Sequence, residues 1–492
     1  MNTVAFNAIP ENTLVPFFWA EINSGGSPYE GQSKLVLAMQ RTSAGTAPAG
    51  TLAGPIQSER EARALFGVGS MAVAAYKIAR RNAGLAPIWM LPLADPAGNA
   101  AHGTITVNTA PGAANVGVLD ICGKRMTFQI GASDAVADIA TKIAATVNAA
   151  EVPVTAAAAT AVVTITARHV GEIGNAILIR VPADEPNGLV GHVTVVAMAG
   201  GTGIPDLAAA LANLGDDEAD FLAAPYTDAT SLNTVRGFLD DAAGRWSPYQ
   251  QLYGHYFSAG FGTLSALVAL GDGRNDQHVS IMGSQASPTP PWEWAAALGA
   301  VAQAHLTDAP ELSRPLQTLK LLGVRPPADR ALWWDKPDRQ ALYQDGISGY
   351  TVTVDGQVQI DRVVTTYQEG ALGSPDATFR NVETMAQLVF FTRYVRAGVS
   401  AKHGRQALAD ENPAGVAQIT TPRDIKATLI HLYEELVGLG VVEKADLFAR
   451  FVTVVRDPNN ADRVNAYLPV DVVNQLRVFA ANVTAFLEYR EV

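Results

Sequence analysis

With 492 residues, 48% of them hydrophobic and 17% charged, the chain has ordinary globular composition and length for about two to four domains. Its formal net charge of -12, without any cluster of Lys and Arg, argues against a free nucleic-acid binder, whose affinity rests on phosphate neutralisation. The single cysteine, Cys122, allows no intrachain disulfide, the start MNTVAFNAIPENTLVPFFW lacks a secretory pattern, and no apolar run nears the ~18–20 residues that cross a bilayer; a soluble, cytoplasmically made chain without membrane contact is expected.

Charge is uneven along the chain. Residues 371–492 hold 13 Lys+Arg against 14 Asp+Glu, whereas residues 1–370 hold 22 against 33. A nearly neutral C-terminal quarter on an acidic body suits a surface that meets an acidic partner, and equally suits uneven sampling of surface charge.

In chain order, residues 1 to about 22 alternate at Val4, Phe6 and Ala8 and then reach the cluster Phe17-Phe18-Trp19. Such a segment is too short to build a core and must bury itself on the chain's own body or on a neighbour. Residues 34–39 read as a strand. Ser58 and Glu61 form a capping box for a helix that runs, with a break near Gly67 and Gly69, to Arg80, and 87–93 is the next strand. Between Met90 and Asp220 the only aromatic residue is Phe128, and Gly, Ala, Val and Thr dominate. Short strands fit at 104–107, 125–130, 162–167, 176–181 and 192–198, with one amphipathic helix at 134–148 capped by Ser133. Residues 97–199 therefore read as an inserted β-rich α+β domain placed inside a βα crossover.

From Pro205 strands and helices alternate: helix 205–214, strand 220–224, helix 228–243, strand 251–257, helix 262–270, strand 278–282 and helix 291–306. This is the pattern of a doubly wound α/β core. A Pro- and Arg-rich passage at 307–337 places Trp333 and Trp334 on the core edge, and 350–354 with 357–364 make a hairpin around Asp355-Gly356. A final α+β domain opens with a helix at 378–402, has a second helix capped by Thr421 with Pro422 at its first position, and ends in strands 451–456 and 463–468 around a DPNN turn. In the last segment Leu476, Val478 and Ala480 alternate with other residues, which predicts a strand that needs a partner edge.

Catalytic readings fare poorly. Ser265, with His255 or His278 and Asp272 or Asp276, would supply the residue types of a serine hydrolase, but Ser265 falls inside the predicted helix and no G-x-S-x-G elbow presents it. GVLDICGKR at 117–125 misses the phosphate-loop pattern, having Arg125 where Ser or Thr would ligate magnesium. Eight scattered histidines and one cysteine show no ligand spacing, and the acidic run Asp216, Asp217, Glu218 and Asp220 lacks that of a calcium loop, so neither metal nor cofactor is expected. Trp292 and Trp294 cannot share one helical face; one is expected in the core and the other is available for a contact between subunits.

The central segment carries RWSP, GHYFSAGFGTL, GDGRNDQHVS and SPTPPWEWA in that order, and LFGVGS, ADFLAAPYTDA, LYQDGISGYTV, LADENP, TPRDIKATLIHLYEEL and DRVNAYLPVDVVNQLRVFA flank it. Together these stretches resemble Mu-like contractile bacteriophage tail sheath proteins over nearly the whole chain. The resemblance implies a subtilisin-like, non-catalytic α/β core at 23–96 and 200–370, an outward insertion at 97–199 and a tube-facing domain at 371–473. It also implies exchanged linking arms at 1–22 and 474–492. Phe6, Phe17, Leu476, Val478 and Phe479 would anchor the arms, and Lys402, Arg405, Arg423 and Lys426 would meet the inner tail tube. The implied role is a structural subunit, assembled in a host bacterial cytoplasm as stacked hexameric rings, that contracts to drive the tube through an envelope. Its implied partners are further copies, the tube protein, and baseplate and tail terminator proteins. An α/β serine hydrolase with an inserted domain, or a sheath from a phage-derived bacteriocin or injection particle, are the alternatives.

Overall fold

The computed structural model describes residues 33–309 and 311–486, so the expected arm anchors Phe6 and Phe17 lie outside the described residues. The chain divides into a larger unit of residues 33–390, 436–444 and 470–486 and a smaller one of residues 391–435 and 445–469.

In the larger unit β1 (Leu35–Gln40) is buried at every position, as befits a strand covered on both faces. Helices α1 (Glu59–Phe66) and α2 (Met71–Asn82) follow, with Ser58 Oγ accepting the Glu61 N–H and the break falling at Gly67 and Gly69, both at positive φ. β2 (Ile88–Leu93) then leads into the insertion: β3 (Ala100–Val107), β4 (Asn115–Ile121), β5 (Lys124–Ile130), α3 (Val136–Ala149), β6 (Val154–Ala159), β7 (Val162–Val170), β8 (Ile179–Arg180) and β9 (Val193–Ala199). These strands make two antiparallel sheets, ordered β6-β7-β3-β9 and β5-β4-β8.

Two of these strands escape sequence reading. β4 is interrupted by Gly117 and Asp120, and four of the six residues of β6 are alanines, residue types that are depleted in strands. The expected strand at 176–181 is a 3-10 turn followed by a two-residue strand. Ser133 does not cap α3: the N-cap is Ala135, whose N–H is held by the Asp138 carboxylate at 2.9 Å, while Asp134 accepts the Gly131 N–H.

The chain returns through α4 (Leu207–Ala212), β10 (Phe221–Ala223), α5 (Ala229–Leu239), β11 (His255–Phe261), α6 (Leu264–Asp272), β12 (Val279–Ser284), α7 (Pro291–His305), α8 (Lys336–Gln344), β13 (Ile347–Val352) and β14 (Val358–Arg362). The sheet is ordered β14-β13-β12-β11-β10-β1-β2 and is parallel except for the antiparallel pair β13–β14. Gly299 of α7 lies against Leu35, Ala223 and Phe257, whereas Gly260 lies against Leu267 of α6. Because residues 257 and 260 point to opposite faces of one strand, helices cover the sheet on both sides.

β11 starts four residues later than its apolar run suggests. Gln251 and Tyr253 adopt positive φ, and the buried Arg245 guanidinium donates to the carbonyls of Tyr253, Gly215 and Asp217, which pins the approach as a loop. Trp292 and Trp294 are both in the core, 1% and 0% exposed, which corrects the expectation that one is free for a subunit contact. Nearly every position of α7 is buried, so its two tryptophans pack on different sides of the same covered helix. α8 went unread within a Pro- and Arg-rich passage, although Asp335 and Asp338 cap its start reciprocally.

α9 (Val382–His403) starts in the larger unit and ends in the smaller, which continues with β15 (Ala407–Leu408), β16 (Ile419–Thr420), α10 (Pro422–Gly438), α11 (Ala445–Phe451), β17 (Thr453–Arg456) and β18 (Val464–Tyr467). Its core gathers Phe391, Tyr394, Leu429, Leu432 and Phe448 around Tyr433, whose ring stacks on Phe448 at 3.8 Å.

A Cβ on Gly271, in the last turn of α6, would lie 1.8 Å from the Asp345 carbonyl oxygen, whereas one on Gly273 meets nothing nearer than 3.5 Å. Gly271→Ala is therefore expected to lower stability by about 1–3 kcal/mol in urea unfolding, with Gly273→Ala within about 0.5 kcal/mol of the parent.

Candidate functional site

The residues that imitate a catalytic triad are used structurally. Ser265 Oγ lies 3.1 Å from Thr263 Oγ1 at the exposed start of α6 and does not meet a histidine. His255 is buried in the sheet with Nε2 2.9 Å from Ser280 Oγ, and burial, with help from His278, pushes its pKa down to about 3. A histidine held neutral and sealed from solvent has no substrate to serve. His278 stacks on Trp246 and places Nε2 3.0 Å from Asp241 Oδ1, while Asp276 accepts the His278 N–H; Asp272 is exposed. The RWSP and SPTPP motifs are likewise scaffolding. Trp246 Nε1 donates to the Gly254 carbonyl, and Ser287 Oγ accepts both Trp294 Nε1 and the Thr289 N–H.

A cleft of about 650 Å³ lies where the C-terminal ends of β10, β11 and β12 face the insertion. This is the position in which open α/β sheets hold ligands. Two of its polar side chains are engaged locally: Asp228 caps α5 through the Ser231 N–H, and the Asn175 amide makes two hydrogen bonds with Gly201. Among the described residues no group of three or more His, Cys, Asp or Glu is disposed to hold a metal ion, and no helix is long and apolar enough to cross a membrane.

The insertion is docked by charge. Glu151 pairs with Arg63 of α1 and Lys77 of α2, both at 2.8 Å, and in the reverse sense Arg325 of the core reaches the buried Asp120 at 3.1 Å and the Gly123 carbonyl at 2.6 Å. Burial raises the Glu151 carboxyl, but the two cations outweigh it and hold the pKa at about 2.

The C-terminal segment runs along the larger unit in extended form. Val472 bridges Val442, Val473 accepts from Gln387 Nε2 at 2.9 Å, Gln475 reaches Gln387 Oε1, and Arg477 Nη2 donates to Glu383 Oε2 at 2.7 Å. The glutamate is 0% exposed at the start of α9, and the arginine side chain 12%. Gln475 and Arg477 thus face the body while Leu476 and Val478 face out, 76% and 78% exposed, with Phe479 at 86%. The Arg477–Glu383 anchor was not read from the sequence, because its partners lie 94 residues apart with no local pattern linking them.

In the smaller unit β17 and β18 form a two-stranded sheet among the described residues, with Phe451, Val455 and Tyr467 exposed beside or on it. Lys402, Arg405 and Arg423 are exposed and Lys426 is half-buried, and none of the four forms an ion pair among the described residues. His403 gathers them: its ring nitrogens lie 2.8 Å from Thr428 Oγ1 and 3.0 Å from Thr420 Oγ1, which fixes the end of α9 against the start of α10.

The family model for the phage tail sheath protein central domain matches residues 200–366, and that for the phage tail sheath C-terminal domain matches residues 374–486. The Mu-like prophage FluMu tail sheath protein of Haemophilus influenzae is 32% identical over 491 residues, covering 97% of this chain and 98% of the relative. Among solved structures, the sheath tail protein of Desulfitobacterium hafniense aligns with a TM-score of 0.49 at 13% identity over 93% of this chain and 97% of that one. The helical sheath of the anti-feeding prophage in its contracted state aligns with a TM-score of 0.46 at 13% identity over 97% and 100%.

The Glu151 carboxylate, lowered from its ordinary value of 4.5 to about 2, contributes stability that is complete above about pH 4.5 and is lost as pH falls toward about 2. Glu151→Gln is expected to cost about 1–2 kcal/mol at pH 7 after solvent screening and to flatten the stability profile across that acid window, measured by thermal unfolding at stepped pH.

Proposed function

The chain belongs to the phage tail sheath family, and from that premise we propose how it works as the structural subunit of a contractile tail sheath. Its place is the tail of the virion. Subunits polymerise around an inner tube as stacked hexameric rings, after assembly in the host cytoplasm, and their rearrangement drives the tube through a bacterial envelope. Baseplate and tail terminator proteins bound the polymer at its two ends. The α/β core serves as a doubly wound, subtilisin-like scaffold without catalytic use.

The observation that carries the linkage is a pair of unfinished edges. An extended segment presents Leu476, Val478 and Phe479 to solvent, and the β17–β18 hairpin, with two strands among the described residues, has an edge open to a further strand. Addition of the C-terminal strand of one copy to the β17–β18 sheet of another supplies backbone hydrogen bonds and covers apolar side chains at both ends of the link. Residues 1–22, with Phe6 and Phe17, are the second arm. Main-chain links of this kind hold neighbours together while their bodies rotate, which a contracting lattice requires. The Lys402, Arg405, Arg423 and Lys426 surface, whose cations form no ion pair among the described residues, is the face for an acidic tube.

Deleting residues 478–492, which keeps the Arg477–Glu383 anchor, is expected to abolish tubes and rings in negative-stain electron microscopy while leaving a folded monomer. Assembly as extensive as that of the full chain would refute the arm. Replacing Lys402, Arg405, Arg423 and Lys426 together by Glu is expected to leave tube-free polymers intact and to weaken co-sedimentation with the purified tail tube by at least tenfold. Binding of the parent to the tube should also fall steeply between about 50 and 500 mM salt.

A further inference from the structure

The start of α9 carries more positive charge than the described chain neutralises. Arg477 donates Nη2 to Glu383, yet its Nε and Nη1 are buried and have no acceptor among the described residues. Arg362, the last residue of β14, donates Nη2 to Asn381 Oδ1 at 2.9 Å, and its buried Nε also lacks an acceptor among them. Burial, with repulsion from Arg477 and Arg380 added to it, lowers the Arg362 pKa, so its guanidinium feels the charge of both neighbours. The carboxylate beside them, Glu383, already accepts the Leu316 N–H as well as Arg477. All of this lies at the N-terminus of a 22-residue helix, whose dipole adds to the positive potential.

Buried guanidinium donors without acceptors are costly, and the group that relieves them best is a carboxylate. Residues 1–32 contain Glu11, Glu21 and Glu30 and neither Lys nor Arg. We propose that Arg362, Arg380 and Arg477 form a receptor for a carboxylate of the N-terminal segment, Glu11 or Glu21, delivered by a second copy of this chain. The inference rests on the sheath-subunit reading and names a partner for its N-terminal arm: the arm of one copy ends its reach at the root of another copy's C-terminal arm.

The topology favours that meeting. Arg362 opposes Gly349 near the start of β13, and the Thr366 N–H bonds the carbonyl of Val279 at the start of β12, so the cluster sits at the edge where the parallel strands begin. The chain enters β1 from Ser33 at this same edge. Five strand spacings separate β14 from β1 in the sheet order, about 24 Å. The segment between Glu21 and Ser33, at up to roughly 40 Å extended, exceeds the width of that half-sheet, so Glu11 and Glu21 have reach beyond the body that carries them, whereas the few residues after Glu30 do not.

The test uses the full chain with Arg477→Lys, which keeps the charge and adds an amine at position 477. Assembled polymers are treated with a carbodiimide, which joins amines to carboxylates in direct contact, and the peptides are read by mass spectrometry; the link from position 477 to Glu383 serves as internal control. Polymers grown from equal amounts of ¹⁴N- and ¹⁵N-labelled chains assign each link to one copy or two. The expected result is a link from position 477 to Glu11 or Glu21 that joins peptides of different isotope. Polymers in which position 477 is linked to Glu383 alone, or to the N-terminal segment only within one isotope, overturn the proposal and leave the sheath function standing. Failure of the parent chain to polymerise at all would instead remove the functional reading. Should Arg477→Lys itself not assemble, Glu11→Gln and Glu21→Gln in the parent background decide: at least a tenfold slower polymerisation by light scattering for one of them supports the receptor, and parental rates for both overturn it.

Discussion

A sheet of parallel strands has no face that tolerates water, and this constraint organises the larger unit. Crossover helices must cover both sides, so β1, β11 and β12 are buried almost throughout and α7 is enclosed on nearly every side. Residues that look available in sequence, among them Trp292, Trp294, His255 and Ser280, are thereby drawn into the interior. What remains for work on other molecules is the periphery: the strand edges, the terminal segments and the smaller unit.

The same constraint explains why motif-rich stretches carry no chemistry. Arg245 closes three carbonyls of a loop, Ser287 ties Trp294 to the turn before α7, and Asp228 and Asn175 finish local backbone groups at the mouth of the cleft. Each polar group is engaged by the fold it stabilises, as buried polar groups generally are. The insertion follows the same logic on its outer side, where ion pairs of both polarities, Glu151 to the core and Arg325 from it, bind the added module without disturbing the covered sheet.

Exposed apolar and unpaired basic groups also stand at the surfaces proposed for assembly. Exposed apolar side chains line residues 476–479, the hairpin of the smaller unit has two strands among the described residues, the basic residues flanking His403 form no ion pair among them, and the arginines at the start of α9 exceed the carboxylates beside them. On the proposed reading these are the incomplete halves of contacts with other copies and with the tube. A monomer folded around a closely packed core, with apolar side chains left exposed at its edges, is stabilised further when a second copy covers them.

Much of this was readable from local pattern. The capping box at Ser58, the break at Gly67 and Gly69, the hairpin turn at Asp355-Gly356, Pro422 at a helix start and the outward alternation at Leu476 and Val478 each depend on neighbours within a few residues, and so does the α/β alternation after Pro205. Family membership too was legible, since it lies in the order of short stretches. Strands β4 and β6 were missed because their residues gain strand character only from partners in the sheet, and α8 and α11 because short helices leave little periodicity. The sequence by itself determined the family, most element types and the outward alternation at Leu476 and Val478, all of which follow from local periodicity and residue order. Only the tertiary structure decided that both tryptophans are core, that His255 meets Ser280 and not Ser265, and that Arg477 fastens to Glu383. Those outcomes depend on which distant residues share one small volume and on how burial there shifts the cost of charge, and no local pattern encodes either.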